Sequence, residues 1–73
     1  MIIFMQEIKL REEYIKMGQA LKAAGFVESG ADAKTEILDG KVKVNGKIEY
    51  QRGKKLHDGD IVEFKENQIK IIK

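Results

Sequence analysis

KVKVNGK, residues 41–47, is the stretch that decides the fold. In an extended chain Val42 and Val44 point to one side, and Lys41, Lys43 and Asn45 to the other. Asn45-Gly46 is the favoured pair for a two-residue type I′ turn, so the chain is expected to double back through KIEYQ, residues 47–51. The result is a hairpin with an apolar face for a core and a cationic face for something else. Lys41 and Lys43 sit about 7 Å apart on that second face, a spacing of the same order as successive phosphates in a nucleic-acid strand.

Upstream, the apolar period changes from two to 3.6. In KMGQALKAAG, residues 16–25, Met17, Ala20, Leu21 and Ala24 share one helical face, and Gly25 stands at the C-terminal cap position. FVESG then supplies Phe26 and Val27 as core residues. Ser29 with Asp32 reads as an N-cap and an N3 acid for a second helix that runs to Gly40. Its apolar members are Ala33, Ile37 and Leu38, with Ala31 at the edge and Lys34 between Ile37 and Leu38 on the wheel. The stem of Lys34 is placed to lie along apolar surface while its ammonium reaches outward.

Toward the termini the signals are β again. Residues 5–10 read as an N-terminal strand, and RGKKLHDGD, residues 52–60, as a loop. IVEF and IKII, within residues 61–72, read as two strands around a turn centred on Asn67. Residues 1–73 therefore form one α+β domain, with two helices on one side of a small, mainly antiparallel sheet of about four to five short strands. The strand edge at either terminus is expected to be free, which permits dimerisation of an otherwise monomeric domain.

Composition limits the functions open to such a chain. At 73 residues there is room for one small core. There is no cysteine, which excludes disulfides and thiolate metal sites and fits a reducing cytoplasm. No apolar run reaches the length of a membrane span, and MIIFM is too short for a signal-peptide core; Met5 is an alternative start to Met1. The net charge is only +2, but it is unevenly distributed. Residues 1–33 and 56–73 each carry a net −1, while residues 34–55 carry +4, the pattern of a local anion-binding face.

IKMGQALKAAGFVESG (15–30), AKTEILDGKVKVNGK (33–47) and RGKKLHDGD (52–60) together resemble the S-four domain. This small RNA-binding module was first described in the fourth protein of the small ribosomal subunit. The likeness covers about residues 15–64. It is carried most strongly by Gly40, Val42, Val44, Asn45 and Gly46, with Ala33-Lys34 before them and Gly59-Asp60 after. GQALK and RGKKL look closest to the stand-alone bacterial members. The resemblance implies an α-L motif, two helices and a hairpin that sit on structured RNA. Members occur in ribosomal proteins, pseudouridine synthases, a heat-shock ribosome-binding protein and some tyrosyl-tRNA synthetases. Many members begin the first helix with arginine-leucine-aspartate where this chain has Lys16-Met17-Gly18, and many have arginine where it has Gly30. Lys16 keeps the charge without the planar fork of arginine.

The expected function is therefore non-catalytic binding of structured RNA, ribosomal RNA or tRNA, without a cofactor. The contacts are expected from Lys16, Lys22, Ser29, Lys34, Lys41, Lys43, Asn45, Lys47, Arg52, Lys54 and Lys55, gathered on one face made by the helices and the hairpin. Ser29 and Gly30 would offer backbone N–H groups at a helix end, with Asp32 acting against an anion there. Tyr50 is the single aromatic near the basic segment, which favours recognition of folded RNA by shape and backbone over a run of splayed bases. A protein-interaction module of the same fold is the alternative. Other features have plainer readings. His57, before Asp-Gly-Asp, suits a turn, because no second histidine or cysteine completes a ligand set. Lys65, Lys70 and Lys73 suit a solvated surface.

Overall fold

The computed structural model describes residues 4–73. Seven strands and two helices follow one another as β1 (Phe4–Lys9), β2 (Ile15–Lys16), α1 (Met17–Ala23), α2 (Gly30–Leu38), β3 (Val42–Val44), β4 (Lys47–Ile48), β5 (Lys55–Leu56), β6 (Ile61–Phe64) and β7 (Asn67–Ile72). Five of the strands make a mixed sheet in the order β1-β7-β6-β3-β4, and β2 pairs with β5 in a separate two-stranded ribbon. All neighbours in the large sheet are antiparallel except β1 and β7, which run parallel from Phe4↔Asn67 to Lys9↔Ile72.

The core follows from alternation. Val42, Val44, Val62, Phe64, Ile69 and Ile71 turn to one face and are buried with Met17, Ala20 and Leu21 of α1 and Ala33 and Ile37 of α2. Both helices thus lie on the side of the sheet to which the valines point. Phe26 closes one end by stacking on Phe64, with ring centroids 5.8 Å apart.

Both helices end as their glycines require. Gly25 (φ +79°) and Gly40 (φ +75°) occupy the left-handed position after the last turn. Phe26 N–H donates to Leu21 O and Lys41 N–H to Glu36 O, closing a Schellman motif at each end. Ser29 Oγ accepts from Asp32 N–H at 3.2 Å, the expected N-cap of α2. In the hairpin Asn45 (φ +52°) and Gly46 (φ +86°) both take positive φ, as a type I′ turn demands.

Several boundaries differ from expectation. Leu38 is 57% exposed: Ala33 and Ile37, one turn apart, form the buried stripe, and Leu38 falls 100° around the helix. The returning strand stops at Ile48, because the Glu49 carboxylate accepts the N–H groups of Tyr50 and Gln51 and takes that backbone away from the ladder. The 52–60 segment contains a strand, since Leu56 is fully buried and pulls Lys55–Leu56 against Ile15–Lys16. The β6–β7 turn lies at Lys65-Glu66, with Lys65 at φ +57°, and Asn67 already pairs with Phe64. Finally, β7 has a neighbour on each side, so the C-terminal strand offers no free edge.

Candidate nucleic-acid interface

Backbone carbonyls, not side chains, cap the start of α1. Its N-cap, Lys16, makes no capping hydrogen bond through its side chain. Instead Met17 N–H donates to Lys54 O (2.8 Å) and Gly18 N–H to Arg52 O (3.0 Å). Two orphan donors of the first helical turn are satisfied by the 52–55 loop, and that loop is thereby fastened beside Lys16. Gly18 permits this approach: a Cβ there would lie 2.8 Å from Arg52 Cγ.

Three adjoining clefts result. Lys16, Lys22 and Arg52 line one together with Gly30, at the start of α2. Lys34 and Arg52 line a second with Leu38 and Tyr50. Lys47, Lys54 and Lys55 line a third with His57, Glu49 and Asp60. Gly53 borders all three, so the clefts are continuous across the 52–55 loop. All seven cationic side chains are on exposed residues, and among the described residues none has a carboxylate within ion-pairing distance. Lys55 Nζ also sits 4.9 Å above the Tyr14 ring.

Lys41 and Lys43 do not join this face. Because Val42 and Val44 point to the helices, alternation sends Lys43 to the opposite side of the sheet, where it pairs in register with Glu63. The Lys41 ammonium lies 3.5 Å from Glu36 and 4.0 Å from Asp39. These two lysines share a shallow outer groove with Glu63 and Lys65. The expectation of a single face made by both helices and the whole hairpin is corrected here: of the hairpin lysines, Lys47 alone lines one of the clefts that Gly53 borders.

The Asn45 side chain is committed within the fold. Its Nδ2 donates to Asp60 Oδ1 (3.0 Å) and its Oδ1 accepts from Ile61 N–H (2.9 Å), while its own N–H donates to Ile61 O (2.8 Å). The other carboxylate oxygen of Asp60 accepts His57 N–H at 2.7 Å. Burial pushes the Asp60 carboxyl up, but the hydrogen bonds from His57 and Asn45 outweigh it and hold the group below its ordinary value. His57 thus opens the turn that Asp60 closes. Ser29 caps α2, and the space around Gly30 is open, since a Cβ there would meet nothing within 4 Å.

An S4 domain model matches residues 8–72, nearly the whole chain. The chain belongs to the S4 domain family. Among S4 relatives it is 40% identical over 57 residues to the probable ribosome maturation protein RlbA of Bacillus subtilis (strain 168), covering 78% of this chain and 80% of that one. It is 32% identical over 62 residues to the putative RNA-binding protein YbcJ of Escherichia coli (strain K12), covering 85% and 89%. The solution structure of E. coli YbcJ superposes with a TM-score of 0.69 at 27% identity, over 100% of this chain and 91% of that one. It is described as revealing an αL motif involved in RNA binding. The helix pair and hairpin of this S4 domain are the same architecture. Among its described residues no helix is long and apolar enough to cross a membrane.

Proposed function

We propose that this S4 domain is a non-catalytic, cytoplasmic binder of structured RNA, ribosomal RNA or tRNA. Its contact surface would be the helix-and-loop face of Lys16, Lys22, Lys34, Lys47, Arg52, Lys54 and Lys55. The observation that carries the reading is the convergence of these seven cations, none of them in an ion pair among the described residues, on clefts that meet at Gly53. Charge of this kind neutralises phosphates and releases counterions, which supplies affinity without a sequence code. The likeness to RlbA and YbcJ supports RNA as the partner and a ribosomal particle as its setting.

Ser29 contributes through the cap that exposes the start of α2 beside Lys16 and Lys22, and Asn45 through holding the hairpin. The test is binding to ribosomal RNA and to tRNA across a salt series. Charge reversal at Lys34 and Arg52 together is expected to weaken binding at least 100-fold while leaving the fold intact. Undiminished binding by that variant overturns the reading. Partners that persist after nuclease treatment would favour a protein-interaction module instead.

A further inference from the structure

Three apolar side chains stand in the open beside the basic clefts. Leu38 is 57%, Tyr50 56% and Ile48 47% exposed. Leu38 and Tyr50 line one cleft, while Ile48, opposite Lys43 in the ladder, lies outside it. Tyr50 and Ile48 meet at Gly40, where a Cβ would lie 3.5 Å from Tyr50 Cε1 and Oη and 3.8 Å from Ile48 Cγ2. The ring therefore rests against bare backbone, held at φ +75° by the α2 cap. Its own backbone is braced as well, since Glu49 Oε2 accepts Tyr50 N–H at 3.1 Å and Gln51 N–H at 3.2 Å. The same bonds turn the Glu49 carboxylate into the loop. Tyr14, the other tyrosine, already lies under Lys55 Nζ and beside His57.

We propose that Leu38 and Tyr50 form a shelf that seats one unpaired nucleobase of the bound RNA, with Lys34 and Arg52 on the phosphates flanking it. This rests on the RNA-binding reading above and narrows it to RNA with a bulge or a helix–loop junction. Charge complementarity selects the occupant. Lys34 and Arg52 line the cleft that holds Leu38 and Tyr50, and Arg52 continues into the neighbouring basic cleft. An apolar base face attached to phosphates matches a small apolar patch bordered by unpaired cations. A helix or strand of a protein partner would bring larger apolar area than two side chains can cover. One aromatic suits one base, consistent with a domain that otherwise reads backbone and shape.

The test uses two hairpin RNAs that differ only by a single unpaired 2-aminopurine nucleotide in the stem. The wild-type chain is expected to bind the bulged RNA about 5- to 150-fold more tightly than the continuous one, the range of one base–aromatic stack, and to change the 2-aminopurine fluorescence. Tyr50→Ala should bind both RNAs at the continuous-stem level, whereas Tyr50→Phe should keep the preference. Three results would overturn the shelf while leaving RNA binding intact: equal, salt-dependent binding of both RNAs; a preference that survives Tyr50→Ala; or self-association that Tyr50→Ala abolishes. Failure to bind either RNA at low salt overturns the RNA reading and the shelf with it.

Discussion

Asn45 and Asp60, fifteen residues apart, are joined by a 3.0 Å hydrogen bond from the Asn45 amide to the Asp60 carboxylate, and Asn45 also ties down the start of β6. Asn45 exchanges two further bonds with Ile61, and Asp60 holds His57 N–H. The β3–β4 turn is thereby locked to the entry of β6. Asn45→Ala should cost about 2–3 kcal/mol: roughly 1 for each lost side-chain bond and about 1 for placing alanine at positive φ. Thermal unfolding should fall by about 10 °C or more. Asn45→Gly, which keeps the turn but loses the amide, should recover the backbone part of that loss. Equal midpoints for the two variants would show that the backbone term is absent.

The same clamp gives stability a dependence on acid. The carboxyl of Asp60 is held below its ordinary value in the folded chain, so its contribution is present above the unfolded value, about 3.9, and disappears as pH falls through the lower folded one. The stability gap between wild type and Asp60→Asn should shrink below about pH 4. Glu13, lowered by its bond to Lys73, titrates in the same window in both proteins and cancels in the comparison. A gap unchanged down to about pH 2.5, measured by chemical denaturation, would remove the charge from this account.

Gly18 and Arg52 should be coupled with a change of sign. In the wild-type chain, Gly18→Ala forces Arg52 Cγ aside and should reduce RNA affinity nearly as far as Arg52→Ala does. In an Arg52→Ala background the obstruction is gone. There alanine at 18 should raise stability by about 0.5–1 kcal/mol, the ordinary helical preference over glycine. A double-mutant cycle on both unfolding and RNA binding measures this, and simple additivity would show that Gly18 does not position Arg52.

The features legible in the sequence were those with a local cause. The Asn45-Gly46 turn, the Ser29 cap, the glycines ending both helices and the alternation of Val42 and Val44 each depend on residues within a few positions of one another. The 52–55 loop was not legible because it caps α1 with its carbonyls, which every residue carries alike. β5 is two residues long and owes its existence to the burial of Leu56, a tertiary effect. The parallel pairing of β1 with β7 joins the two ends of the chain and has no local signature. For the site, the basic segment was visible as composition. Its division between two faces follows from the direction of Val42 and Val44, which also fixes Lys43 on the far side. The exposure of Leu38 and Tyr50 had no sequence signal, because an apolar residue on a helix flank reads the same whether or not a neighbour covers it.

That division predicts a difference in salt dependence. If Lys34 neutralises a phosphate, Lys34→Ala should lower the slope of log K against log salt by about 0.7–0.9 and weaken binding across RNA sequences alike. Lys43→Ala should leave the slope within error of wild type, since its ammonium faces away from the helices beside Glu63. Lys41→Ala should do the same to binding, and at most modestly lower stability through the loss of its exposed pairs with Glu36 and Asp39. Affinity measured at four or five salt concentrations separates the cases. A slope that falls as far for Lys43→Ala as for Lys34→Ala would mean that RNA wraps the sheet as well as the helices, and the one-faced interface would have to be abandoned.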